Sequence, residues 1–577
     1  MRYKTKLFVS ALAGAVGLLA LSAAGARAET TSSPSQLTGF HQMVVDNAGG
    51  YVFLSEGTGD LFNGPDNTTG IVVTDLSGNY VTTLDAGDGV EGLALSADGG
   101  TLYAALSSDS AVAAISVSSI TAATATPTQA LYTLGAGQVP YAVALQSGDL
   151  WVSYNPQAGS AGQSAIGSFD LSQASPSFQV AQGTSGWYAP PDLSADPSDS
   201  GILVAAEPGQ APATVATYSV AGGTLTTLAP PQELKYSLGG DSCDNETDLS
   251  VVPGGSQVIV ACADPANHYY YSTTDLTQLG EYASSTYPDA VTIDPGSGLV
   301  ALGTSYQDAP EIYLYELGGS TPLNEYSFAE NSGAKLVARG LALSSDGSEL
   351  YAVTLTQSDD LNGPQSSFAL HVYSNPAAAV TLSGPSTDIA GNSLTLNGTV
   401  TLPTGTPPPA GATLTVTRTE AGSTTPVTLP AVSTAADGTF TLSDTPAAAG
   451  TYTYAVSYDD SSAATVVVDV TPDLTTLSLS GPDSLKKGSK LTLTGTLTFD
   501  GNPAPAGTTV SVTVNWSGSS ETTTLCSVTT AADGTFTITD HPTSFGTFTY
   551  TAQYAGSPTN GPATAQWAVT VPHPGNG

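Results

Sequence analysis

Two stretches decide the fold: Gly92-Leu93-Ala94-Leu95-Ser96-Ala97-Asp98-Gly99-Gly100-Thr101-Leu102-Tyr103-Ala104, and Gly340-Leu341-Ala342-Leu343-Ser344-Ser345-Asp346-Gly347-Ser348-Glu349-Leu350-Tyr351-Ala352. Each reads as a short apolar strand, a Gly/Asp turn and a second apolar strand, which is the signature of a β-hairpin. Two near-copies so far apart point to an internal repeat, and repeats of about 40–50 residues build stacked or radial sheets.

Weaker versions of the hairpin run from Met43 to Leu54, Val143 to Val152, Leu193 to Val204, Leu249 to Val260 and Val291 to Leu302, giving seven heads in all. Most are followed by two more short strands, such as Ile71-Val72-Val73-Thr74 with Tyr80-Val81-Thr82-Thr83, or Ile312-Tyr313-Leu314-Tyr315 with Asn324-Glu325-Tyr326. Four strands in each of seven units predict a seven-bladed β-propeller over residues 37–376, an all-β solution that leaves only short, protected sheet edges.

Beyond Pro376 the composition turns to Thr, Ala, Val, Pro and Gly, and the period lengthens to about 96. Leu382-Ser383-Gly384-Pro385 returns as Leu479-Ser480-Gly481-Pro482, Ala435-Ala436-Asp437-Gly438-Thr439-Phe440 as Ala531-Ala532-Asp533-Gly534-Thr535-Phe536, and Gly450-Thr451-Tyr452-Thr453-Tyr454 as Gly546-Thr547-Phe548-Thr549-Tyr550. Units of roughly 100 residues with short alternating strands predict two β-sandwiches, over 377–472 and 473–571, joined at Thr471-Pro472-Asp473.

The Leu-Ala-Leu-Ser-x-Asp-Gly-x-x-Leu-Tyr-Ala string resembles the head of a blade in secreted bacterial propellers of the YVTN or WD40-like type. It is strong in two units and loose in five, and the Trp-Asp dipeptide of eukaryotic WD40 repeats is absent from all of them, so that family's partners do not carry over. The longer repeats resemble bacterial Ig-like modules, which commonly act as spacers or adhesive units. Neither copy has the inter-sheet cysteine pair of antibody domains.

Arg2, Lys4 and Lys6, the apolar run from Leu7 to about Ala20, and Ala26-Arg27-Ala28 read in the order of a secretory signal peptide over residues 1–28. That run is shorter than the roughly 20 residues a spanning helix needs, so no membrane span is expected. The expectation is a secreted protein, released or held non-covalently at the cell wall, and monomeric. The formal net charge is −38, and the propeller segment holds only Lys235, Lys335 and Arg339 as cations, so nucleic acid and anionic membranes are poor partners on electrostatic grounds and no nucleic-acid partner is expected. The acidity itself reads as solubility.

Of three cysteines, Cys243 and Cys262 flank the hairpin that turns at Pro253-Gly254-Gly255 and are expected to form a disulfide in an oxidising compartment. Cys526 is left over and is expected as a small buried apolar side chain.

In a propeller the innermost strand of every blade starts beside the central channel. The residues just before the seven heads, His41, Glu91, Tyr141, Asp192, Asp248, Asp289 and Arg339, are therefore expected to ring one channel mouth. Such a break in pseudo-symmetry is where ligand contact is expected, and the bland alternative is a set of polar groups solvating a water-filled channel. Loops between second and third strands open on the same face. They offer Asn63 and Asp66 in the first unit and Asn362 in the last, which ring closure places side by side, with His268, Tyr269 and Tyr270 adding an aromatic cluster of the kind that stacks on sugars or peptides.

The acidic stretch from Asp241 to Asp248 supplies hard oxygen suited to calcium but lacks the spacing and the turn glycine of an EF-hand, so no cofactor is expected, with calcium the one option kept open. Gly239-Gly240-Asp241-Ser242 lacks the spacing of a nucleophile elbow, and the propeller's only histidines, His41, His268 and His371, give a serine nucleophile few bases. The leading expectation is an extracellular binding or adhesion protein that presents its loop face to a glycan or a protein, with the sandwiches as spacers. The alternatives are a hydrolase or lyase using the channel-mouth acids, and a structural envelope protein.

Overall fold

The computed structural model describes residues 30–32, 37–57, 70–157, 161–180, 182, 186–234, 243–264, 267–305, 310–328, 333–360 and 363–574. The chain is all-β, and among the described residues no helix is long and apolar enough to cross a membrane.

Among the described residues, the strands up to Ser374 form seven four-stranded antiparallel sheets in succession. The first comprises Met43–Asp46, Tyr51–Ser55, Gly70–Asp75 and Tyr80–Asp85. The next five follow the same order, opening on Val90–Leu95, Val139–Gln146, Asp192–Ala195, Asp244–Val251 and Pro288–Asp294. The last comprises Ala334–Leu343, Glu349–Asp360 and Gly363–Ser374, and its fourth strand is Thr30–Ser32 from the other end of the chain, in register with Val372, His371 and Leu370. The expected unit began at residue 37; the closing strand lies before that point.

Packing closes the ring. Met43, Val52, Leu54 and Val72 of the first sheet share one apolar cluster with Ala342, Tyr351, Val353 and Leu370 of the last. Six further clusters fill the six remaining gaps between consecutive sheets. Each sheet is therefore covered on both faces, which is why Val52-Phe53-Leu54 and Ile71-Val72-Val73 are buried as unbroken apolar runs. The outer strands alternate, as half-exposed strands do, and leave Tyr80, Leu131 and Leu279 exposed. The arrangement is propeller-like.

The repeated Ser-x-Asp-Gly string has a local cause. The Asp98 carboxylate accepts from Ser96 Oγ at 2.6 Å and from the Gly100 amide at 3.0 Å, and Asp346 accepts from Ser344 Oγ at 2.8 Å and the Ser348 amide at 3.0 Å. Gly99 and Gly347 take left-handed φ of 69° and 68°. A Cβ on them would lie 2.8 Å from Asp46 Oδ1 and 2.7 Å from Ser297 Oγ, atoms of the preceding sheet, so the motif is a tight turn tucked against its neighbour.

After Pro376 two further cores form, each between two facing sheets. The first lies between the sheet of Ala379–Ser383, Leu394–Thr401 and Thr439–Asp444 and the sheet built on Thr413–Glu420, Gly450–Tyr458 and Ala464–Thr471, with Leu396, Val416, Tyr454 and Val468 inside. The second repeats it, with Leu493, Val512, Tyr550 and Val569 inside. Tyr454 donates to Asp444 and Tyr550 to Asp540, each at 2.7 Å, so the same tyrosine–carboxylate bond recurs in both copies. Cys526 corrects the expectation of burial: it is free and exposed, because the strand Thr522–Thr529 turns most of its side chains to solvent.

Candidate functional site: a buried ionic cluster at the channel

The first strands of the seven sheets face the channel, and their starts are irregular in a repeated way. Strand register shifts between Val90 and Leu93, Pro140 and Val143, Glu246 and Asp248, Pro288 and Ala290, and Leu336 and Leu341. Such bulges re-aim side chains next to the point where pairing begins. Arg339 sits inside one of them at φ 58°.

Five of the seven expected residues meet around the Arg339 guanidinium. One terminal nitrogen donates to His41 Nε2 at 2.9 Å, and the other to Tyr141 Oη at 3.0 Å and Asp192 Oδ2 at 2.6 Å. With Nε2 accepting, the His41 proton belongs on Nδ1, which faces Glu91 Oε2 at 3.5 Å. His41 also packs edge-on against Tyr141, with ring centroids 4.9 Å apart. Burial, with the Arg339 charge second, holds the His41 pKa well below its ordinary value, so this imidazole is neutral. Burial opposes the charge on Arg339, but Asp192, Tyr141 and Glu246 outweigh it and keep the guanidinium protonated.

Asp248 is a link between sheets: Oδ1 accepts the Leu249 amide at 2.9 Å and Oδ2 the Val291 amide at 2.8 Å. Gln42 does the same for the Leu93 amide at 2.8 Å and Ser194 for the Val251 amide at 3.0 Å. Neighbouring first strands share no ladder, so their channel-side amides need such side-chain acceptors. Burial pushes the Asp248 carboxyl up to about 7. Asp289 has Ser305 and Lys335 as its polar neighbours, and burial lifts it to about 6.

Glu246 was not among the expected ring residues. It is 1 % exposed, neither of its carboxyl oxygens has a hydrogen-bond partner, and burial, with Asp192 next, holds its pKa well above the ordinary value. Arg339 lines a cavity of about 260 Å³ together with Gln42, Ala144, Asp192, Asp248 and Leu341 among others. His41, Glu91, Tyr141, Asp192 and Glu246 are all nearly inaccessible, so the structure buries a cluster that the sequence reading placed at an open mouth.

On the loop face, Asn63, Asp66 and Asn362 lie outside the residues whose side chains are described. His268 is not a loop residue. It sits in the third strand His268–Ser272, fully buried, with Nδ1 on Ser284 Oγ at 2.9 Å and Nε2 on the Ala290 carbonyl at 3.1 Å, and burial depresses its pKa to about 3. Tyr269 and Tyr270 follow it in the strand, partly buried, and Tyr270 packs on Tyr282 with centroids 5.5 Å apart. Cys243 and Cys262 are joined by a disulfide with Cα atoms 5.5 Å apart. Asp244–Val251 is a strand, and among the described residues no three His, Cys, Asp or Glu are grouped to hold a metal ion.

Among the described residues, Tyr188, 49 % exposed, and Tyr287, 52 % exposed, are aromatics open to solvent on this face. They lead into the first strands of the fourth and sixth sheets, and their own backbones meet the ends of the paired second strands: the Tyr188 amide donates to Glu207, and the Ser305 amide to the Tyr287 carbonyl at 3.0 Å. The readable signal was Tyr-x-Pro-Pro-Asp at 188–192 and Tyr-Pro-Asp at 287–289, an aromatic held by proline beside a ring acid.

No family model and no curated protein matches the chain. Solved structures that resemble it include the hydrazine synthase of Kuenenia stuttgartiensis, at 13 % identity, TM-score 0.40, covering 57 % of this chain and 96 % of that one. Another is the Cps50 (Swd1) β-propeller domain of Myceliophteria thermophila, at 11 % identity, TM-score 0.39, covering 60 % and 99 %. A putative 6-phosphogluconolactonase of Bacteroides fragilis is similar at 13 % identity, TM-score 0.36, covering 56 % and 95 %. Likenesses this weak carry nothing into the functional reading.

Proposed function

We propose that the chain is a secreted extracellular binding protein: a signal peptide, a seven-bladed propeller whose loop face takes a glycan, and two Ig-like modules that space it from a surface. The observation that carries the reading is the pair of exposed tyrosines, Tyr188 and Tyr287, on the face where the first strands begin. Tyrosine rings stack on the apolar faces of sugars at little entropic cost. The ring acids give less support to catalysis, because Asp192 is committed to Arg339 and Asp248 to two backbone amides.

The test is binding of the full chain to a glycan array and to purified cell-wall polysaccharide, with and without calcium. Saturable binding that weakens in Tyr188→Ala with Tyr287→Ala supports the proposal; a chain that binds no glycan sinks it and leaves a protein partner or a structural envelope role.

One observation favours a second reading. Glu246 has a raised carboxyl and no hydrogen-bond partner, and it stands near Arg339 and Asp192, the setting of a general acid with a second carboxyl group close by. A hydrolase or lyase acting there on a sugar or lactone would lose turnover in Glu246→Gln and in Glu91→Gln while its loop-face binding survived.

A further inference from the structure

We propose that the loop 459–462 is a proton-sensitive clasp, which holds the first two-sheet module against the last two sheets of the ring in acid and loosens at higher pH. The loop joins the strands Gly450–Tyr458 and Ala464–Thr471 and reaches out of its own module. Asp460 is buried among residues of the ring. Its carboxylate accepts the Ser374 amide at 2.8 Å, its own amide donates to the Ser374 carbonyl at 3.1 Å, and its carbonyl accepts from Asn324 Nδ2 at 2.7 Å and Tyr326 Oη at 3.0 Å. Asp459 accepts from Asn375 Nδ2 at 2.9 Å, and Ser462 donates to the Leu323 carbonyl at 2.6 Å. Six hydrogen bonds from three residues of this four-residue loop, two of them buried, make a docked joint rather than a flexible linker.

The matching hairpin loop of the second module packs on the first in the same sense. Its crossing bond runs from the Ala449 amide to the Pro558 carbonyl at 2.9 Å. That second joint is built from backbone and uncharged residues. The first one stacks carboxylates.

Glu349 is the group that makes the difference. It lies on the second strand of the last sheet, where Ser374 Oγ donates to Oε2 at 2.9 Å. The charged groups facing it are Asp346 in its own hairpin turn and Asp459 and Asp460 of the clasp, with Tyr351 on its own strand and Tyr458 at the clasp's root close by. An ionised Glu349 is repelled by the Asp459 and Asp460 carboxylates of the loop that docks on it. Burial, then the carboxylates of Asp459, Asp460 and Asp346, lifts its pKa to about 7 against the Ser374 hydrogen bond. A raised carboxyl pKa means the docked state is favoured with the proton on. The contribution is full below the ordinary value of 4.5 and is lost as pH climbs through about 7.

The experiment uses the full chain with Cys526→Ser, and spin labels at Ser118→Cys on the ring and Thr395→Cys on the first module, both exposed. Distance distributions are measured at about pH 5 and about pH 8, on either side of the transition. The expected result is a narrow distribution in acid that broadens at the higher pH. Glu349→Gln should stay narrow at both, and Asn324→Ala, which removes a clasp bond without touching a titrating group, should broaden at both. A wild-type distribution that ignores pH, a Glu349→Gln chain that still broadens, or an Asn324→Ala chain that stays narrow would each overturn the proposal.

Discussion

Arg339 carries the positive charge that Asp192 meets out of contact with water, so its removal leaves that carboxyl buried without its cation. Breaking a buried ion pair from one side typically costs about 3–5 kcal/mol, far more than the pair itself contributes. Arg339→Gln should lower the chain's resistance to urea by an amount in that range, and a midpoint within error of wild type would show that the cluster is not load on the fold. Asp248 provides a pH signature. Its carboxyl is raised from 3.8 to about 7, so its stabilising contribution is complete below the lower value and disappears as pH rises through the upper one. Asp248→Asn should therefore flatten the decline in urea midpoint between those two pH values. An unchanged slope in the variant would remove Asp248 from that account. The positions of this cluster were legible because one residue before each hairpin head recurs with the repeat. Glu246 was not, since the bulge between Glu246 and Asp248 brings two residues of one strand toward the cluster where the repeat supplies one. Burial was not legible either: the sequence gives no measure of how tightly neighbouring strands close over a charge.

At the scale of the element, the hairpins were readable and their completions were not. Each of the seven heads forms the first two strands of a sheet, because alternation and turn chemistry act over a dozen residues. Thr30–Ser32 has no apolar alternation, and its partner Gly363–Ser374 lies more than 300 residues away, so nothing local announces it. A chain starting at residue 37 should lose that strand, and amide exchange should quicken in Leu370 to Val372 ahead of the rest of the ring. Unchanged protection there would mean the closing strand contributes nothing. The run from Asn267 to Tyr271 was read as an aromatic cluster on the loop face with some of its tyrosines alternating into a strand; cross-strand pairing with Val258 to Val260 on one side and Glu281 on the other makes His268–Ser272 the third strand of its sheet. The Cys243–Cys262 disulfide closes a loop with sequence separation 19, and by chain entropy it should contribute about 3 kcal/mol. Cys262→Ala should show that loss in a non-reducing denaturation curve, and a reducing agent should add no further destabilisation to the variant.

For the whole molecule, composition and period bounded the class well. The change of period after Pro376 marks where ring sheets give way to paired sheets. What the face binds depends on loops and exposed rings, and the repeat constrains these least. The account assigns recognition to that face and a structural role to the buried cluster. The measurement that separates the two is a calorimetric titration of cell-wall polysaccharide into three full-length proteins: wild type, Tyr188→Ala with Tyr287→Ala, and Glu91→Gln. The account predicts that the tyrosine variant loses at least roughly tenfold in affinity, about 1.4 kcal/mol, while Glu91→Gln binds as wild type does. Binding that survives loss of both tyrosines but fails in Glu91→Gln would contradict it and place recognition in the channel.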